Sequence, residues 1–244
     1  TSMGILPISP KKKNIYEEKK KCENKQPVLF SICFLLFKHA IILAQMKFEE
    51  IKFNIGALKG ISAKNIEEHL KLYSGYVKNA NLILEKIPEY QGYAKEDTFA
   101  PYVVSEIQRR FSFEFNGMRN HEYYFKMLEG GTKPLPENSK LKIAIEKQMP
   151  FETWLENFKT LAMTRGIGWA VLGYDKQTEQ LVHIWIDEQH LGQLNGVEWV
   201  LGLDMWEHAF VYDYPTSEKK KYVEAFFQNL NWEIIEQNFI EAIS

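Results

Sequence analysis

No cysteine follows Cys33 in this 244-residue chain. With only Cys22 and Cys33, both near the start, residues 46–244 have neither a disulfide framework nor a thiolate metal site. A metal held there must be bound through nitrogen and oxygen. A basic surplus is missing as well: 30 Lys and Arg stand against 32 Asp and Glu, giving a net charge of -2. That argues against a global nucleic-acid-binding field. The sequence shows no glycine-rich phosphate loop and no internal repeat. Its longest apolar run, Val28 to Phe37, stops at Lys38-His39, well short of the ~18 residues that mark a membrane-spanning helix. Histidine is scarce at six, so the place of each one is informative.

What is present is apolar and aromatic: 45% hydrophobic and 14% aromatic residues can build a substantial core in one or two domains. The first 45 residues differ from the rest. "KKKNIYEEKKKCENK" precedes "PVLFSICFLLFKHAIILAQ", a basic-then-apolar order that resembles a signal peptide or membrane anchor. The lysine, the short run and the lack of an A-x-A pattern count against a signal. We read 1–45 as an upstream extension not native to the domain, which then starts at Met46. On that reading 46–244 is cytoplasmic, with no stable membrane association; a genuine signal would make the protein secreted or membrane-anchored.

"SAKNIEEHLKLYSGYVKNANLILEKIPE" carries the helical period, with Ser62 as N-cap and Pro88 as stop. Its stripe includes His69, Tyr73 and Tyr76. A second helix, about Tyr102 to Leu128, ends at Gly130-Gly131 and presents Gly117, His121, Tyr124 and Phe125. The two read as an antiparallel hairpin with a loop at 89–101. "EGGTKPLPENS" is linker-like. "PFETWLENFKTLAMTRG" is an amphipathic helix, and "GWAVLGY" and "LVHIWID" are strands about a hairpin turn. "VEWVLGLD" is a third strand ending at Asp204, and the tail from "EKKKYVEAFF" onward is helical. The expected fold class is α+β. An N-terminal antiparallel helical hairpin (46–130) precedes a C-terminal α/β domain (131–244) with a small three-stranded antiparallel sheet.

"LGLDMWEHAF" sets Asp204, Glu207 and His208 inside an otherwise apolar stretch. Unpaired buried charge costs several kcal/mol or more, so these groups need partners or a metal. The candidate donors are His69, His121, Asp204 and His208. A lone histidine in an aromatic stripe is more often a packed core residue than a ligand. Here each histidine lies in a segment that must bury an apolar face, so all would point at one core. Three imidazoles and a carboxylate suit a first-row transition metal. Zinc would fit the donors but has no redox chemistry.

These segments resemble the iron/manganese superoxide dismutase family. "LGLDMWEHAF" is similar to its D-x-W-E-H-A motif, "FNGMRNHEYYF" to its N-H-x-x-(F/Y) segment and "RGIGWAVLGYD" to its G-x-G-W-(A/V) segment. "HLKLYSGYVKNAN" resembles the first-helix motif, and "AFFQNLNWE" the closing helix. The marks run from Ile61 to Glu233 in the family's order. The resemblance implies a superoxide dismutase whose one bound ion per chain, manganese by preference or iron, alternates its oxidation state. It implies His69, His121, Asp204 and His208 as ligands. It implies Gln189, with His190 as the alternative, as the hydrogen-bond partner of the metal's solvent, because Gly117 on the second helix has no side chain. That pairing is the manganese-type arrangement. Tyr76 matches the gateway tyrosine, Trp169 and Trp206 would wall the site, and Glu207 would meet His208 of a second subunit in a homodimer or tetramer.

Departures from the family pattern fall near the interface and the substrate funnel. His69 and Tyr76 are seven residues apart where eight is commoner, Tyr73 stands near the place of an interface histidine, and Phe210-Val211 replace two tyrosines. "PTSEKKKY" replaces the family's arginine-bearing segment near the funnel, where Lys219 would supply the positive charge. Two other classes compete with this reading: a non-catalytic dismutase-fold scaffold, which predicts lost ligands, and a different mononuclear metal enzyme.

Overall fold

The structure, a computed structural model, describes residues 47–94 and 96–244. The extension over 1–45 and the domain start at Met46 lie outside the described residues.

From Lys47 to Gly60 the chain is irregular and is tied down by side chains. Asn81 accepts from the Phe48 N–H at 2.8 Å and donates to the Phe48 carbonyl at 2.9 Å. The Ile51 N–H donates to the Tyr73 hydroxyl at 2.9 Å, and the Lys59 N–H to Asn229 Oδ1 at 2.8 Å. Helix α1 (Ala63–Tyr93) then starts at Ser62, whose hydroxyl accepts from the Asn65 N–H. Pro88 does not stop it: the proline lies inside, and five more helical residues follow. The carbonyl that Pro88 leaves unbonded belongs to a half-exposed turn near the helix end, where water can satisfy it. Helix α2 (Ala100–Lys126) opens with Pro101, pre-set for a first turn. It packs along α1, and the connection is shorter than the sequence suggests.

Helix α3 (Lys140–Glu146) has no counterpart in the sequence reading. Its seven residues are too few to hold by propensity. The start is held from far along the chain: Glu236 accepts from the Ser139 hydroxyl at 2.5 Å, the Lys140 N–H at 2.7 Å and the Leu141 N–H at 3.2 Å. Helix α4 (Phe151–Ala162) buries Trp154, Phe158 and Ala162.

Strands β1 (Gly168–Asp175), β2 (Gln180–Asp187) and β3 (Val197–Asp204) form one antiparallel sheet in the order β2-β1-β3. β1 is central and nearly all buried, which is why "GWAVLGYD" is a continuous apolar run rather than an alternation. Trp169 pairs with Asp204 across β1 and β3, so both side chains leave the same face. The helical tail is two helices, α5 (Lys219–Asn229) and α6 (Trp232–Ala242). The break comes from Asn231. Its N–H donates to the Met127 carbonyl, its amide donates to the Glu129 carbonyl, and its Oδ1 caps Glu233. The fold is therefore α+β, a helical hairpin followed by a three-stranded antiparallel sheet with helices. None of the helices among the described residues is long and apolar enough to cross a membrane.

Candidate metal centre

Four elements meet at one buried point. Helix α1 supplies His69 and α2 supplies His121; the end of β3 supplies Asp204, and the 3-10 turn Glu207–Ala209 supplies His208. One donor atom from each lies within 4.8 Å of all the others. Asp204 Oδ2 is the hub: the Nε2 atoms of His69 and His208 are each 3.1 Å away, and that of His121 is 3.5 Å away. The other carboxylate oxygen, Oδ1, accepts the Trp206 N–H at 2.8 Å, which aims Oδ2 inward. The Asp204 carbonyl accepts from the Tyr222 hydroxyl at 3.0 Å, fixing the strand end.

Burial settles the protonation states. It pushes His69 and His121 down, His121 to about 3, so both imidazoles are neutral near pH 7. Burial alone would raise the Asp204 carboxyl, but the His208 and His69 imidazoles outweigh it and hold the group below the usual carboxylate range. His121 Nδ1 is 2.6 Å from the Gly117 carbonyl and must donate to it. Its Nε2 therefore carries a lone pair, has no hydrogen-bond partner and faces a carboxylate. Two electron-rich atoms facing each other in a dry core call for a cation between them. Neutral imidazole and ionised carboxylate are also the forms that ligate. The donor set fits a single first-row metal ion.

Above this point lies a hydrogen-bonded chain. Gln189, fully buried, accepts from Trp169 Nε1 at 3.0 Å, so its amide nitrogen is turned to donate to the Tyr76 hydroxyl at 2.9 Å. The Tyr76 hydroxyl is pushed up by burial and by the Asp204 and Glu114 charges, so it stays protonated. Its own proton remains for another acceptor. Seven residues between His69 and Tyr76 fall about 20° short of two turns, which keeps both on one face. The Tyr76 ring fills the space beside α2 where a Gly117 side chain would stand: a Cβ there would come 2.5–2.9 Å from three ring atoms. His190, next along the loop, does not join this chain; its ring packs on Phe113 at 5.8 Å. Trp206 stacks on His208 at 5.6 Å, and Trp169 lies edge-on to His121 at 5.2 Å.

Tyr73 is not at a surface. It is fully buried, and its hydroxyl accepts from Ile51 and donates to Glu122 at 3.1 Å, so it cannot stand in for an interface histidine. Glu207 is exposed, and His208 is the one donor whose side chain reaches solvent, at 21%. Lys219 donates to the Thr164 carbonyl at 3.0 Å, with Trp185 beneath its ammonium. Sequence reasoning assigned no role to Asn120, whose amide donates to the Gln189 carbonyl at 2.9 Å and holds that loop to α2. Its place beside His121 was the available signal. Tyr222 and Phe113 carried none beyond being aromatic.

A helical hairpin and a small antiparallel sheet closing on three imidazoles and one carboxylate define a mononuclear metalloprotein. Residues 136–238 match the family described as iron/manganese superoxide dismutases, C-terminal domain. Among relatives, the chain is 32% identical over 191 residues to an iron superoxide dismutase of Aquifex aeolicus, spanning 76% of this chain and 87% of that one. It is 31% identical over 208 residues to a manganese superoxide dismutase of Mycolicibacterium fortuitum, covering 83% and 96%. It is 32% identical over 198 residues to the mitochondrial manganese enzyme of Glossina morsitans morsitans, covering 79% and 88%. The chain belongs to the iron/manganese superoxide dismutase family.

Proposed function

We propose that this chain is a superoxide dismutase, converting two superoxide ions and two protons into dioxygen and hydrogen peroxide. The observation that carries this reading is the buried group His69, His121, Asp204 and His208, with donor atoms within 4.8 Å and two of its imidazoles held neutral. We assign these four as the residues that hold one manganese or iron ion. When bound, that ion supplies the one-electron couple that both halves of the reaction need.

The protein's own part is to orient, keep dry and supply protons. Asp204 brings one negative charge, which favours a higher oxidation state. Trp169, Trp206 and Phe125 wall the site with aromatic surface. Gln189, fixed by Trp169, donates to the Tyr76 hydroxyl and so leaves that hydroxyl's own proton for donation to a reactant. A side chain from the 188–190 loop opposite glycine at 117 supports manganese as the preferred ion. The exposed carboxylate of Glu207 beside half-open His208 supports a homodimer in which each Glu207 meets the other chain's His208.

The test is to reload metal-free protein separately with manganese and iron and to assay superoxide consumption beside metal content. His121→Ala should lose at least nine-tenths of both. Full metal occupancy in that variant would overturn the ligand assignment, and inactivity with both metals would overturn the function.

A further inference from the structure

Phe113 packs against Tyr76 on the side away from the core. Its buried ring lies 5.9 Å from Tyr76, 5.8 Å from His190 and 6.4 Å from Trp206, centroid to centroid. Arg110 places its guanidinium carbon over that ring, 3.5 Å from the centroid. The same guanidinium donates through Nε to Glu114 at 3.3 Å, and Asn79 donates to the other Glu114 oxygen at 3.2 Å. The two charges differ in exposure: the Arg110 side chain is 51% exposed and that of Glu114 only 9%. A cation faces solvent, and its carboxylate sits beneath it. Both charges are felt at Tyr76, Glu114 raising and Arg110 lowering its hydroxyl, after the larger effect of burial. Arg109 beside it is taken up by Glu106, and Lys219 by Thr164.

A buried carboxylate here has the wrong sign for an anion travelling inward. Unmasked, it would repel a monoanion through a low-dielectric wall, where a charge acts over a longer range than in water. We propose that Arg110, Phe113 and Glu114 form an anion gate at the entrance to the metal site, with Arg110 admitting small anions by masking Glu114. Phe113 limits the width of the opening, and the balance between Arg110 and Glu114 sets its sign. That the natural anion is superoxide rests on the dismutase reading; the gate itself does not.

The test uses the full-length, metal-loaded protein with azide as probe, binding being followed by the absorption of the metal. Arg110→Gln should weaken azide binding about three- to tenfold, and Glu114→Gln should tighten it by about the same factor. The double variant should return close to the unmutated value, and raising salt to ~0.5 M should shrink all the differences. Arg110→Lys, which keeps the charge, should stay within about twofold and guards against a folding failure in Arg110→Gln. Superoxide kcat/KM should follow the same order. Equal azide affinity in all variants overturns the gate. Weakening by both single substitutions also overturns it, in favour of plain packing. An unmutated protein that consumes no superoxide but shows the azide pattern overturns the dismutase reading and leaves the gate standing.

Discussion

At the scale of single residues, the orientation of Tyr76 depends on two neighbours, Gly117 and Trp169. Gly117 leaves the space that the tyrosine ring fills, and Trp169 turns the Gln189 amide toward the hydroxyl. Gly117→Ala forces an over-packed contact, typically costing about 1–3 kcal/mol. In a domain of this size that lowers Tm by roughly 2–10 °C. Metal content should stay full while activity falls, because the tyrosine and not the donors is displaced; calorimetry beside metal analysis checks both, and an unchanged Tm would show that the ring has room to move. Trp169→Phe keeps the wall but removes one hydrogen bond of about 1 kcal/mol. The freed amide can rotate, so the redox potential of the bound metal should shift at full metal content. An unchanged potential would show that Gln189 is held by other contacts.

Among the elements, the interesting ones are those whose local sequence does not explain them. Helix α3 exists because a carboxylate on α6 caps it, with three hydrogen bonds onto its first turn. Glu236→Ala leaves those donors unmet at a cost of about 1–3 kcal/mol. Hydrogen exchange over 139–147 should speed up tenfold or more while the strands keep their protection. Uniform acceleration would mean that α3 opens only with the whole fold. Asn231 acts in the same way between α5 and α6, tying the break to the end of α2.

For the whole molecule, burying neutral histidines couples stability to pH. In metal-free protein His121 is held at about 3, against about 6.5 in an unfolded chain. Between those values the unfolded state binds the proton and the folded state does not, so stability falls as pH drops from about 6.5 toward 3 and is flat above. His69 shifts in the same direction. Denaturant unfolding of the metal-free protein across pH 3–8 should show that slope, and a midpoint independent of pH below 6 would contradict it. The proposed subunit contact makes a second global prediction. Glu207→Ala removes the carboxylate acceptor of the proposed hydrogen bond to the other chain's His208, a loss of roughly 1.5–3 kcal/mol for each such bond. Sedimentation should show more monomer, and metal analysis less bound metal, in the same variant. A fully dimeric, fully metallated variant would mean the bridge does not form.

The class of fold and a short list of candidate donors are legible from local pattern alone. Periods of 3.6 and 2 mark where chains bury faces, and Asp204 and His208 stand out because charge in an apolar run needs a reason. The strands β1–β3 were legible for the same cause, since β-branched and aromatic runs end at turn residues. Tertiary structure alone decided what depends on partners distant in the chain. The continuation of α1 past Pro88, the seven residues of α3 and the break at Leu230-Asn231 are each set by solvent access or by a side chain far away. The choice of Gln189 over His190 as the neighbour of Tyr76 follows from an indole N–H twenty residues earlier in the chain. The burial of Tyr73 follows from an irregular segment, 47–60, whose local pattern carries no sign of what it covers. Local pattern records which faces are buried; which atoms meet there is set by the packing of elements that the pattern describes only one at a time.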